Sequence, residues 1–287
     1  MMKSSSPAKA GAGGKRAAEA KVLRGLVWFC AMLTLAVLVF LIGYILVNGV
    51  PNLRPSLFAL KYTTENVSLF PALINTIIMT ALSLLIAAPL GIFSAIYLVE
   101  YAKKGNKLVG IVRITAETLT GIPSIVYGIF GMLMFVTTLG WGYSMIAGAC
   151  TLAIMILPVI MRTTEEALKS VPDSYREGSY GLGAGKLRTV FRVVLPSAAP
   201  GIFSGIVLGV GRIVGETAAL IYTAGTVAQI PDNLLGSGRT LAIHMYALWT
   251  EGMNVESSYA TAVVLLVIVV ALNALSAAIA RRITKNM

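Results

Sequence analysis

Histidine is nearly absent from these 287 residues: His244 is the only one. Cysteine is almost as rare, with Cys30 and Cys150 far apart and no CxxC pair. These shortages exclude a disulfide framework. They also leave a histidine-based metal site, or a His/Ser or His/Cys catalytic pair, little to draw on. Each cysteine falls in an apolar stretch, where a thiol acts as a small hydrophobe. Charge is scarce as well. Only 12% of residues are Asp, Glu, Lys or Arg, against 57% hydrophobic and a mean hydropathy of +0.83. That balance excludes a soluble globular domain.

The few charges are unevenly spread. Residues 25–53, 66–99, 118–161 and 257–280 carry none. Crossing a hydrocarbon layer of roughly 30 Å takes about 20 apolar residues, so each window can hold a span. The run from Thr118 to Met161 is too long for one, and Gly140-Trp141-Gly142 offers a break. Six helices are expected, near 24–47, 69–99, 110–138, 143–162, 198–225 and 258–280: an all-α polytopic membrane protein. Pro89 and Pro158 read as plain kinks. The first apolar run, Gly25 to Val47, is longer than a signal-peptide core and no small-x-small cleavage site follows, so it reads as a retained anchor. Residues 1–23, rich in Ser, Ala, Gly and Lys, are expected to be a disordered tail.

A formal net charge of +11 suggests nucleic acid until its distribution is considered. With the N-terminus inside, the cytoplasmic segments hold nineteen Lys and Arg, and the outer segments hold three, Arg54, Lys61 and Arg239. This positive-inside pattern places both termini in the cytoplasm. The basicity is topological, and no nucleic-acid partner is expected.

The cytoplasmic segment between the fourth and fifth spans carries most information. After Val171-Pro172, Asp173 or Ser174 can cap a short helix on which Tyr175, Gly178, Ser179 and Leu182 share one face. A small-residue ridge is a poor lipid anchor and a good protein contact. Gly183 suits a C-terminal stop. A second helix places Leu187, Val190, Phe191, Val194 and Leu195 on one side and Arg188 and Arg192 on the other. That pattern predicts an amphipathic helix on the membrane surface, closed by Pro196. Gly183-Ala184-Gly185-Lys186 imitates part of a P-loop, but Tyr180 and Leu187 stand where it needs Gly and Ser or Thr.

Two charges interrupt the fifth span. A central Arg such as Arg212 costs roughly 2.5–3.5 kcal/mol to insert, and is kept only if it meets a partner or a wet cavity. Glu216 lies one turn on and can pair with it, as an i, i+4 neighbour. Gly205, Gly209, Gly211 and Gly215 would let another helix approach closely. Either the pair neutralises itself and locks packing, or it lines a path on which the planar guanidinium meets an oxyanion. In the latter case the carboxylate supplies an alternative partner that keeps the attraction weak enough for release. In the third span, Arg113 and Glu117 are again four apart and read as an interfacial pair. Pro123 should bend the helix and expose Thr120 and Ser124.

The spacing Glu177-Gly178-Ser179, Gly183, Val193, Leu195-Pro196 resembles the EAA loop of ABC-importer permeases, with Gly-Ser for Ala-Ala and Val for Ile. The likeness covers about residues 69–280, with the first helix as an addition. It implies a type I permease fold with a coupling loop at 163–197 and an outer loop at 226–257. The coupling helix, including Tyr175, Glu177, Gly178, Ser179, Leu182 and Gly183, would sit in a cleft of a separate ATPase dimer. ATP and Mg would be held there, with no cofactor and no catalysis on this chain. The runs Gly211–Ala219 and Gly121–Val126 are similar to the phosphate-specific branch, and the last loop and helix to its A-type permease. This resemblance implies a C-type partner permease, an extracytoplasmic phosphate-binding protein, and residence in a bacterial or archaeal cytoplasmic (inner) membrane. Translocation would involve Arg212, Glu216, Thr217, Thr120 and Ser124, with Pro123, Gly215, Leu195 and Pro196 as structural residues. Other readings are a permease for phosphonate, sulfate or molybdate, or a secondary transporter using Glu216 as a proton relay. In the outer loop, Leu241, Met245, Leu248 and Trp249 suggest an interfacial helix, and Asp232, Glu251 and Glu256 read as solvated.

Overall fold

The computed structural model describes residues 10–103, 105–252 and 254–285, and no strand occurs among them. Residues up to Asn48 make one compact unit and those from Gly49 onward another. The first unit is essentially helix α1 (Ala10–Gly49), whose apolar part has a mean hydropathy of 2.7. It is hydrophobic on every side, with Trp28, Phe29 and Phe40 exposed, as suits a helix surrounded by lipid. The helix starts inside the stretch expected to be a disordered tail. Residues 1–9 of that tail lie outside the described residues.

The second unit is built on α5 (Met145–Ser170), which packs between α2 (Phe70–Ile96) and α8 (Leu195–Val214). Met79, Leu152, Met155, Ile156, Ile160 and Ile213 are fully buried along this seam. Small residues set the spacing. A Cβ on Gly205 would lie 2.7 Å from Thr163 Cβ, and one on Gly209 would lie 3.7 Å from Ile160, whereas Gly211 approaches no other helix. Two smaller cores cap opposite ends of α2: Leu57, Leu69, Ala72 and Leu241 at its start, and Ala95, Ile96, Leu168 and Val190 at its end. Pro89 and Pro158 lie inside their helices without ending them. The last span is α11 (Val255–Lys285), against which α10 (Leu241–Glu251) packs.

Two spans differ from expectation. The third is broken rather than kinked. Helices α3 (Lys107–Thr120) and α4 (Ser124–Gly131, prolonged by wide turns to Thr138) meet at 104°. Pro123 has no N–H to continue α3, and its ring forces the preceding residue out of helical geometry.

The fifth span is shifted toward the N-terminus. Residues Lys186–Val214 form one continuous helix, from α7 (Lys186–Thr189) through a π-helical segment, Val190–Val194, into α8. The segment expected to lie on the membrane surface is thus the base of the span. Val190 and Val194 are fully buried against the end of α2, while Leu187 and Phe191 stay exposed. Pro196 does not close the helix. It follows a wide turn in which Leu195 N–H donates to Val190 C=O, and that register shift accommodates a residue with no N–H. At its far end the span stops at Val214 rather than Gly225, and α9 (Ala218–Ile221) begins a new direction.

Candidate functional site

The cytoplasmic loop folds as α6 (Asp173–Gly181). Pro172 precedes it and neither Asp173 nor Ser174, the two expected caps, caps it; Asp173 accepts instead from Arg176 Nη1 at 3.2 Å. The stop is as expected, with Gly183 at φ +81° and its N–H donating to Tyr180 C=O. Tyr175, Glu177 and Gly178 are exposed, and Leu182 is 91% exposed, a large apolar residue presented outward. Ser179 is half-buried and shares a 2.8 Å hydrogen bond with Thr189 at the base of the fifth span. Tyr175 and Pro196 edge a groove of about 540 Å³ between α6 and that base, while Leu195 packs half-buried against the second core.

Sequence reading passed over Arg176. Its Nη2 donates to Glu100 Oε1 at 2.7 Å and to Leu168 C=O at 2.9 Å, and Nη1 donates to Val171 C=O at 2.8 Å. The Glu100 side chain is 6% exposed in the π-helical turn Tyr97–Tyr101 that prolongs α2, so one guanidinium ties α6 to both the end of that helix and α5. Hydrogen bonding to Glu100 holds the Arg176 pKa above its ordinary value. The partners are 76 positions apart, and no local pattern announces them.

The Arg113–Glu117 pair does not form. Arg113 Nε meets Glu165 Oε1 at 2.7 Å, Lys169 joins the same carboxylate at 2.5 Å, and Arg162 bridges Glu117 and Glu166. The break at Pro123 swings α3 across α5, so its charges find partners there. This balanced set lines a cavity of about 180 Å³.

Arg212 and Glu216 are also parted. Arg212 lies half-buried in the last turn of α8 rather than at mid-helix, where the negative end of the helix dipole favours a cation. Glu216 is buried beyond the break, and its Oε1 accepts from Ala219 N–H at 3.0 Å. A carboxylate offering that bond competes with continued helix, which explains the stop after Val214. Gly215 forms the corner with helical dihedrals, and Thr217 leads into α9 half-buried without capping it. Arg212 has neither ion pair nor hydrogen bond among the described residues.

The two breaks meet. A Cβ on Gly128 of α4 would come within 2.8 Å of Ala219 Cα in α9, so only glycine allows this approach. Tyr127, beside it, donates to Leu119 C=O at 2.7 Å and lies within the field of Arg212. Thr120 and Ser124 flank the other break, both half-buried; Thr120 Oγ1 donates to Glu117 C=O at 2.6 Å. The result is an unpaired guanidinium next to two interrupted helices. At the opposite end of the unit, Asp232, Glu251 and Glu256 are exposed, as expected.

Residues 87–285 match the family model described as the binding-protein-dependent transport system inner membrane component. Among curated proteins, the probable ABC transporter permease protein YqgI of Bacillus subtilis is 38% identical over 81% of this chain and 84% of its own length. The phosphate transport system permease protein PstA 1 of Mycobacterium tuberculosis is 37% identical over 73% and 69%. A bacterial alginate ABC transporter, solved with its periplasmic protein, shares the fold at a TM-score of 0.65 and 17% identity, covering 92% of this chain and 97% of its own. The MetNI methionine transporter, in an inward-facing form, does so at 0.58 and 21%, covering 75% and 94%. The expected type I importer fold is therefore present, and the chain carries no enzyme activity of its own. This chain belongs to the binding-protein-dependent transport family, as the membrane-spanning permease subunit of an ABC importer.

Proposed function

We propose that this permease forms one half of an inorganic phosphate path, with a C-type permease as the other half. An ATPase dimer docks beneath α6, and an extracytoplasmic binding protein delivers the substrate. The observation that carries the substrate reading is Arg212, a half-buried guanidinium in the last turn of α8 with no ion pair or hydrogen bond among the described residues. Such a group is retained when a ligand supplies the counter-charge, and its planar donor fork suits a tetrahedral oxyanion. The relatives named as phosphate permeases support the same substrate. The fold alone does not select it, since methionine and alginate transporters share it.

In this reading Glu216 acts differently from a resident partner of Arg212. Bonded to Ala219 N–H, it leaves the guanidinium open to the anion and fixes the turn that presents it. Nucleotide-driven closure of the ATPase dimer would move α6, and Arg176 would carry that motion to α2 and α5. The excess of basic residues in the loop bearing α6 puts both termini in the cytoplasm. Proteoliposomes holding the complete transporter provide the test. Under ATP they should import phosphate in preference to sulfate, and Arg212→Glu should lower uptake at least ~100-fold by replacing attraction with repulsion. Unchanged phosphate uptake in that variant would refute the reading.

A further inference from the structure

Arg239 is the only buried Arg or Lys among the described residues, at 4% exposure. It lies outside the spans, just before α10, and its guanidinium rests 4.8 Å over the Tyr62 ring. It makes no ion pair, and its Nε and Nη2 have no hydrogen-bond partner. The backbone around it is stapled to α2. Asn75 Nδ2 donates to Arg239 C=O at 3.2 Å, and Leu241 N–H donates to Thr76 Oγ1 at 2.8 Å. The guanidinium is therefore held inside rather than caught on its way to solvent.

Its surroundings are rich in donors and empty of negative charge. Thr240 opens α10, yet its hydroxyl does not cap the helix and has no partner. His244, one turn later, is fully buried, and its ring stands edge-on to Tyr62. Burial, with the Arg239 charge behind it, pushes the His244 pKa down to about 3 against the opposing hydrogen bond to the Val67 backbone, so the ring is neutral near pH 7. Glu65, Asp232, Glu251 and Glu256, the carboxylates of the outer segments, are all exposed.

An unpaired buried charge is costly, and a desolvated cation–π contact returns only part of that cost. The imbalance calls for a counter-charge small enough to sit among these side chains. We propose that Arg239, Thr240 and His244, beneath Tyr62 at the N-terminus of α10, bind a small inorganic anion. The eleven-residue α10 adds the positive end of its dipole. Arg239 and His244 share the Tyr62 ring, and the unpartnered Nε and Nη2 of Arg239 adjoin in sequence the unpartnered Thr240 hydroxyl. Phosphate from the transport route and chloride from the medium share the required chemistry. The site rests on the described side chains and not on the phosphate reading, although phosphate as occupant would make it a receiving station ahead of Arg212.

The complete transporter in lipid nanodiscs, with partner permease and ATPase, is titrated with phosphate or chloride at constant ionic strength against gluconate, and its melting temperature is followed. At least one of the two ions should raise it in the wild type. Arg212→Met, which removes the proposed substrate arginine, should retain a response, and adding Arg239→Met to that background should abolish it, separating this site from the proposed substrate path. Where Arg239→Met does not assemble, Thr240→Val in the same background should raise the half-maximal concentration about tenfold, the loss of one hydrogen bond to a charged ligand. A response to chloride alone keeps the site and rejects phosphate as its occupant. The proposal is overturned if neither ion acts on the wild type, if adding Arg239→Met to Arg212→Met leaves the response unchanged, or if Thr240→Val leaves the midpoint unmoved.

Discussion

Arg176 and Arg239 sit at opposite ends of the same helix bundle, and both are withdrawn from water. The first reaches two carboxylates and two backbone carbonyls, so its donors are matched by acceptors that the fold itself supplies. The second reaches an aromatic face and nothing charged. The same side chain therefore plays two parts. Where the chain provides the counter-charge, arginine is a strut that makes neighbouring elements move together. Where it provides none, arginine is half of an interaction whose other half comes from outside. Arg212, half-buried and unpaired, belongs with Arg239 rather than with Arg176.

The largest expected effect comes from breaking the strut. Arg176→Met strands Glu100, which is only 6% exposed, and breaking one side of such a pair costs about 3–5 kcal/mol. Phosphate import should fall at least tenfold, and more ATP should be hydrolysed per ion imported, while the ATPase still copurifies through the exposed face of α6. The double variant Glu100→Gln/Arg176→Met should be less destabilised than Arg176→Met alone, because it removes the stranded charge. Equal import per ATP in Arg176→Met and wild type would mean that α6 does not act through this residue.

How much of this contrast was legible beforehand depends on the range of each interaction. The spans followed from charge-free runs, and helix α6 from Pro172, Gly183 and small residues at fixed spacing, all local signals. The helix breaks were half visible. Pro123 announced one, but the stop after Val214 depends on Glu216 reaching the Ala219 N–H, and an i, i+4 rule applied to a helix assumed continuous paired Glu216 with Arg212 instead. The same rule misassigned Arg113, whose partner is on α5. Amphipathicity identified a packed face at Val190 and Val194 but not what covered it, since lipid and the end of α2 are equally apolar. Arg176 and Arg239 were both counted merely as topological charges. Their roles depend on Glu100 and Tyr62, far away in sequence, and on burial that no composition reveals.

A smaller effect should follow from making Arg239 resemble Arg176. His244→Glu places a carboxylate beside the guanidinium, supplying from within what the anion would bring from outside. The variant should melt a few degrees above the anion-free wild type, on the scale of one or two kcal/mol of recovered pairing. With Arg212→Met added to silence the proposed substrate site, it should no longer respond to phosphate or chloride. Melting curves in gluconate and in chloride check both points. A double variant that still gains stability from the anion would place the ion away from His244.

The smallest effect concerns acid. His244 has a folded-state pKa of about 3, below the ordinary 6.5, so between those values the unfolded chain binds the proton more readily than the native one. Stability from the neutral buried ring is fully present above pH 6.5 and drains away as the pH falls toward 3, at up to about 1.4 kcal/mol per unit. From pH 7 to pH 5 the loss should be about 2 kcal/mol in gluconate, where Arg239 alone faces the ring with Tyr62. An anion beside Arg239 favours the imidazolium, raises the folded-state pKa and shrinks the loss, so chloride or phosphate should flatten the curve. His244→Gln should flatten it in every salt. A wild-type curve already flat in gluconate would mean that the ring protonates freely and that water reaches it. Arg239 would then be solvated as well, and the two ends of the bundle would differ in partners but not in what they demand.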